Sequence, residues 1–173
     1  MSSQPESFVL SRISSPIGTI LLVTDGQAVL RMLDWEDHEE RMREMLQRYY
    51  ERAVLSDGPT PEGISNRLDE YFAGELSALS KIPVAMPGTR FQRDVWEALR
   101  TIPAGTTLSY GVLAQQIGRP SAVRAVGAAN GANPIGVVVP CHRVIGADAS
   151  LTGYGGGLER KRWLLRHEGA RFK

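Results

Sequence analysis

The chain has 173 residues, 42% of them hydrophobic, with a formal net charge of +1 and a single cysteine. That is enough apolar material for the core of one domain or of two small ones, and no apolar run approaches the roughly 20 residues needed to span a bilayer. One cysteine excludes an internal disulfide and a cysteine-rich zinc site, so stability must come from packing.

At the amino terminus Met1 to Glu6 reads MSSQPE, and Phe8 to Leu10 is too short an apolar stretch for a signal peptide, so the expected location is the cytoplasm. Ile13 to Val23 and Ala28 to Trp35 are apolar, partly alternating runs separated by Asp25-Gly26, a hairpin pattern in which Pro16 and Gly18 interrupt the first run. Two helices are predicted next. Asp37 to Arg52 opens with acidic residues and closes with Arg48 and Arg52, as a helix dipole prefers; Pro61 to Phe72 starts on a proline and has Gly74 beyond its end. Glu75 to Gly88 carries Pro83, Pro87 and Gly88 without a sustained period and reads as a linker, 75–88, between domains at 1–74 and 89–173.

Charge divides along the same line. Residues 1–89 hold 8 Lys and Arg against 14 Asp and Glu, net −6, whereas residues 90–173 hold 12 against 5, net +7. A basic half beside an acidic one fits a nucleic-acid-facing domain, and equally fits solvated helix faces. The basic half opens with Thr89-Arg90-Phe91-Gln92, a capping-box pattern, and its first helix carries Phe91, Val95 and Leu99 on one face and ends near Ile102-Pro103. Ser109 is placed to cap a short helix through Ile117, Gly118-Arg119-Pro120 makes a turn, and Ser121 is placed to cap a second helix to about Asn130. This is the outline of a helix-turn-helix, although short helix pairs are also ordinary packing units. In the second helix Arg124 is the one long side chain among small ones. Major-groove reading takes several long donors and acceptors, whereas Ala122, Gly127 and their small neighbours would let a backbone approach sugar-phosphate rails or a minor groove. Helix–helix packing with a solvated Arg124 is the alternative.

Chemistry concentrates in Val137-Val138-Val139-Pro140-Cys141-His142-Arg143-Val144-Ile145-Gly146. Three β-branched residues and a proline hold the thiol in place. A reactive cysteine needs a base or a nearby positive charge, and His142 and Arg143 adjoin it; a buried, inert cysteine is the alternative. Leu158 to His167 reads as a basic amphipathic helix whose Lys161, Arg162 and Arg166 suit the negative end of the dipole, while Glu168 does not. Glu168 is therefore either a surface carboxylate past a frayed helix end or the orienting member of a Cys-His-Glu relay.

Pro140-Cys141-His142-Arg143-Val144, preceded by Asn133-Pro134 and followed by Gly153-Tyr154-Gly155-Gly156-Gly157 and His167-Glu168-Gly169, resembles the O6-alkylguanine-DNA alkyltransferases. The resemblance covers residues 89–171 and extends more loosely to the first half, where Glu70-Tyr71-Phe72-Ala73-Gly74 is similar; the single-cysteine composition looks like a bacterial stand-alone member. It implies an α+β fold: a ribonuclease-H-like domain with a small antiparallel sheet and helices, then a mostly helical winged-helix-like domain carrying the helix-turn-helix. It also implies direct-reversal repair of duplex DNA, in which an alkyl group passes from the O6 atom of a flipped-out guanine to Cys141 once per molecule. Neither a cofactor nor an obligate protein partner is implied, the acting form being a monomer; O4-alkylthymine stays open as a second substrate.

The same resemblance assigns roles. Cys141 matches the alkyl acceptor, His142 the base that deprotonates it through a bound water, Glu168 the carboxylate that orients this histidine, and Asn133 the link between the helix-turn-helix and the cysteine segment. Tyr110 matches the tyrosine that helps turn the nucleotide out and contacts guanine, Arg124 the finger that fills the gap, and Ser121, Ala122 and Gly127 the DNA-facing positions around it. Val144 and Tyr154 match the base pocket. Gly155 stands where other members have serine, leaving only a backbone N–H to donate to O6, and Val123 is bulkier than the expected alanine. Two other classes remain beside this reading: a cysteine hydrolase using Cys141, His142 and Glu168, and a non-catalytic DNA-binding protein. A metal site from Cys141, His142, His167 and Glu168 matches no common zinc spacing.

Overall fold

The computed structural model describes residues 4–173, so the first half of the MSSQPE stretch lies outside the described residues. The chain divides into two compact units, Met1–Pro87 and Gly88–Lys173. Among the described residues no helix is long and apolar enough to cross a membrane.

The first unit is a four-stranded sheet, β1 (Glu6–Ile13), β2 (Ile20–Thr24), β3 (Leu30–Trp35) and β4 (Ala53–Asp57), in the order β3-β2-β1-β4, with helices α1 (Glu39–Tyr49) and α2 (Glu62–Phe72). All five residues of β2, ILLVT, are buried, as a continuous apolar run requires of a central strand. The hairpin at Asp25-Gly26 is present: the Asp25 carboxylate accepts the N–H groups of Gln27 and Val29 at 2.8 and 3.1 Å. Phe8, Leu10, Leu21, Val23 and Met32 of the sheet pack with Met42 and Leu46 of α1. The run from Ile13 to Val23 is not one strand. Ser15 Oγ donates to the Gly18 carbonyl at 2.6 Å, closing a turn between β1 and β2 with Gly18 at φ 120°.

Two features of this first unit differ from the sequence reading. The expected antiparallel sheet is realised by β1, β2 and β3, but β4 joins β1 in parallel at the edge; its short, half-exposed AVLSD carries little alternation. Residues 75–88 are largely folded rather than a linker. Ala78–Lys81 forms a 3₁₀ turn with Ala78 and Leu79 buried, and Leu30 donates to the Pro83 carbonyl at 3.0 Å and accepts from Ala85 at 3.1 Å. Prolines and a missing period hid a segment held by local turns and one bridge.

The second unit contains α3 (Arg90–Leu99), β5 (Leu108–Ser109), α4 (Tyr110–Gln116), α5 (Val123–Gly131), a 3₁₀ turn at Cys141–Arg143, β6 (Val144–Ile145) and α6 (Leu158–His167). The Thr89–Gln92 capping box is formed in both directions, at 3.0 and 3.2 Å. Ser109 caps α4 through the Val112 N–H. Ser121 does not cap α5: the N-cap is Ala122, without a side-chain bond, and the Ala122 N–H instead donates to the Arg119 carbonyl at 2.9 Å, so the turn itself sets the helix start. Trp96 of α3 donates to the Ala129 carbonyl of α5 at 2.8 Å, locking the helix pair to the unit's core. At the end of α6 Gly169 takes φ 75°, and the Ala170 N–H reaches back to the Leu165 carbonyl at 2.9 Å. That left-handed closure fixes Glu168 in a defined position rather than at a frayed end.

Candidate active site

The cysteine sits on a backbone constrained from both sides. Val137 adopts φ 67°, a left-handed conformation that is costly for a β-branched residue and persists only where the surroundings impose it. They do so here: Asn133 Nδ2 donates to the Val139 carbonyl at 2.8 Å and Asn133 Oδ1 accepts the Ile135 N–H at 2.9 Å. Asn130, buried on α5, donates to the Cys141 carbonyl at 3.5 Å. The segment is thus tied to the end of α5 by two asparagines, of which the sequence reading named Asn133 but not Asn130. Cys141 itself is 9% exposed, at the boundary between interior and surface.

Next to it, His142 Nε2 lies 2.9 Å from Glu168 Oε2. Arg143 donates Nε to Glu168 Oε1 at 2.9 Å and a terminal nitrogen to Glu168 Oε2 at 2.8 Å, and its other terminal nitrogen donates to the Ile102 carbonyl at 2.6 Å. Glu168 is therefore buried, not a surface carboxylate. Burial alone would raise its pKa, but His142 and the bidentate Arg143 outweigh it and hold the carboxyl well below the usual range. Burial likewise pushes the His142 imidazole below its ordinary value; Glu168 pulls it up, while Arg143 and Lys161 push it down. A neutral imidazole beside a carboxylate carries its proton on Nε2, which donates to Glu168. Nδ1 is then the basic nitrogen, and it is buried without a hydrogen-bond partner. A β-carbon at Gly105, φ 87°, would come within 2.9 Å of the Glu168 carbonyl, so the turn before β5 needs glycine to approach this corner.

In the sequence Arg143 reads as a positive charge neighbouring the thiol and Lys161 as part of a basic helix. Arg143 is instead bound to Glu168, and Lys161 is fully buried, donating to the Val144 carbonyl at 2.7 Å. The signal was available in the spacing. Lys161, Leu164, Leu165 and Glu168 follow the i, i+3, i+4, i+7 pattern of one helix face, and all four are buried. His167 falls on another face and stacks on Trp163, with ring centroids 4.7 Å apart, away from the relay. Among the described residues no cluster of three His, Cys, Asp or Glu side chains has metal-holding geometry.

The helix-turn-helix presents the remaining candidates. On α5 the exposed residues are Val123, Arg124, Ala125, Ala128 and Gly131, preceded by exposed Ser121 and half-buried Ala122. This leaves Arg124 as the long side chain of a shallow face. Gly127 lies against Tyr110: a β-carbon there would sit 3.8 Å from the Tyr110 ring. The Tyr110 hydroxyl is 2.6 Å from Thr152 Oγ1, joining α4 to the glycine-rich segment that also holds half-buried Tyr154 and exposed Gly155. Val144 is buried directly after the cysteine turn.

Residues 90–170 match the family described as 6-O-methylguanine DNA methyltransferase, DNA binding domain, and residues 9–86 match its ribonuclease-like domain. A methylated-DNA–protein-cysteine methyltransferase from Shigella flexneri is 52% identical over 160 residues, covering 91% of this chain and 94% of that one. The chain belongs to the methylated-DNA–protein-cysteine methyltransferase family. A methyltransferase of the same name from Mycobacterium tuberculosis is 47% identical over 162 residues, 92% of this chain and 91% of that one. The crystal structure of Mycobacterium tuberculosis OGT in complex with DNA shares the methyltransferase fold at a TM-score of 0.78 and 45% identity, covering 93% of this chain and 92% of that chain. The Pyrococcus kodakaraensis O6-methylguanine-DNA methyltransferase aligns at 0.70 with 25% identity, covering 94% of this chain and 99% of that chain.

Proposed function

We propose that this methyltransferase repairs duplex DNA by direct reversal, turning an O6-alkylguanine nucleotide out of the stack and taking its alkyl group onto Cys141. The observation that carries the reading is the buried His142–Glu168–Arg143 arrangement beside the cysteine, with the basic His142 Nδ1 left to accept a proton. The thiol proton passes to Nδ1, through a bound water in the family's scheme, while Nε2 keeps its bond to Glu168. Arg143 keeps that carboxylate ionised throughout. The thiolate then attacks the alkyl carbon, a carbon–sulfur bond forms, and the carbon–oxygen bond breaks with its electron pair leaving on guanine, which is reprotonated to the neutral base. The Gly155 N–H is a candidate donor to O6.

A base inside the duplex is out of reach of a held thiolate, so flipping must come first, at a cost of a few kcal/mol. An exposed Arg124 on a face of small residues suits the space a flipped base leaves, and Tyr110, Val144 and Tyr154 suit the pocket. The product is a thioether, whose carbon–sulfur bond thiol exchange does not open, so each molecule acts once. All the proposed relay groups come from one unit of one chain, which supports a monomer as the acting form, and its proposed location is the cytoplasm; O4-alkylthymine offers the same bond to the same sulfur. Cys141→Ser tests the reading: affinity for duplex DNA persists while transfer disappears. Loss of both would make Cys141 chiefly structural, and turnover on an ester or amide by the parent would favour a hydrolase.

A further inference from the structure

Lys161 stands in the charged run Glu159-Arg160-Lys161-Arg162, yet it is 0% exposed. Its ammonium donates to the Val144 carbonyl at 2.7 Å and reaches the Thr152 and Gly153 carbonyls at 3.4 Å each. Backbone oxygens satisfy its three donors but supply no countercharge, and a buried ammonium without one is strongly disfavoured. The titratable groups on the elements packed around it are His142, Arg143, Glu168, Tyr154 and Tyr110, while Arg93, Asp94 and Glu97 of α3 are exposed. Glu168 is the one anion among the buried groups at neutral pH, and Arg143 grips it bidentately. That pair cancels and His142 is neutral, so the buried cluster carries one excess positive charge, on Lys161. A Cys141 thiolate would neutralise it. The two groups are structurally close: Val144, whose carbonyl Lys161 holds, closes the cysteine's own turn through its N–H bond to the Cys141 carbonyl.

We infer that Lys161 is the buried counter-ion of the Cys141 thiolate and, through the same three bonds, the positioning residue that clamps Thr152-Gly153 to the strand following the cysteine. Burial lowers its pKa to about 8, with the Cys141 sulfur pulling it back up, so lysine and sulfur sense each other's charge. The inference rests on Cys141 being the nucleophile, and it adds a consequence: alkylation converts the sulfur to a neutral thioether and leaves Lys161 without its partner.

Linkage makes the coupling measurable from either side. In the parent protein carrying ¹³C-labelled lysine, the Lys161 ¹³Cε resonance is titrated before and after Cys141 is capped with iodoacetamide, which needs neither DNA nor base flipping. The Lys161 midpoint falls on capping by about one unit or more, the size expected for losing an opposite charge within a few ångströms. An unchanged midpoint overturns the inference. In Lys161→Met the pH midpoint of Cys141 capping rises by about one to three units, with the rate recovered at high pH, and Lys161→Arg returns it toward the parent. A folded Lys161→Met with the parent's midpoint also overturns it; should that variant not fold, the titration of the parent decides. Transfer from O6-methylguanine DNA by the parent is assayed in parallel. Its absence would sink the proposed function, whereas a missing lysine–sulfur coupling beside normal transfer sinks only this inference.

Discussion

Replacing Glu168 by glutamine separates what the carboxylate does for the fold from what it does for the sulfur. Glu168 takes one bond from His142 at 2.9 Å and two from Arg143 at 2.9 and 2.8 Å, and its side chain is 0% exposed while that of Arg143 is 8% exposed. In Glu168→Gln the Arg143 cation loses its charged bidentate partner and keeps only neutral acceptors, the Ile102 carbonyl and one glutamine oxygen, and breaking a buried ion pair in this way costs up to about 3–5 kcal/mol. That is a large share of the roughly 5–15 kcal/mol that stabilises a domain. The folded-state pKa of Glu168 lies below its ordinary 4.5, so its stabilisation is complete above that value and is lost as pH falls toward the folded one. The gap between parent and variant in urea unfolding is therefore flat near neutrality and narrows in acid. Reactivity follows a different course. With no carboxylate to receive Nε2–H, the imidazole is no longer held with Nδ1 basic, and the single-turnover rate at neutral pH, normalised to folded protein, falls by up to about 10²–10⁴-fold. Raising the pH restores much of it, because the thiolate then forms without the base. Arg143→Met combined with Glu168→Gln recovers stability by removing the stranded cation but leaves the rate low. A Glu168→Gln protein as stable and as fast as the parent, or one whose slowness is wholly accounted for by unfolding, would refute the reasoning.

Arg124→Ala slows transfer from O6-methylguanine in saturating duplex DNA far more than transfer from free O6-benzylguanine, because a residue that fills the vacated stack contributes nothing once the base is already free. Equal slowing on both substrates would place Arg124 in the pocket, and no slowing at saturation would reduce it to a phosphate contact. Asn133→Ala leaves the Val139 carbonyl and the Ile135 N–H without their side-chain partner, costing about 1–3 kcal/mol in urea unfolding. Its Cys141 reacts more slowly with iodoacetamide even where the protein is fully folded; an unchanged unfolding free energy would contradict the clamp.

The parts of this molecule that were legible in the sequence are those set by local chemistry. The Thr89–Gln92 box, the Asp25-Gly26 turn and the Ser109 cap each follow from a few adjacent residues, and the structure contains all three. What escaped depends on distant partners. Strand β4 exists because β1 offers it a parallel edge across more than forty residues, as in Glu6 opposite Ala53, and a short half-exposed strand leaves little pattern of its own. Arg143 adjoins the cysteine in sequence, but its partner Glu168 is 25 residues on. Lys161 was readable in principle, since it shares a helix face with Leu164 and Leu165. It was missed because a lysine among arginines is taken for solvent-facing unless periodicity is given precedence over charge.

The central claim is that the alkyl group ends on one sulfur, once. Mixing the protein with duplex DNA carrying O6-methylguanine and weighing its tryptic peptides tests it most directly. The account predicts that the peptide containing Cys141 gains the mass of one methylene, with at most one equivalent transferred per protein and the guanine restored. Repeated turnover, or the added mass on any other peptide, would contradict it.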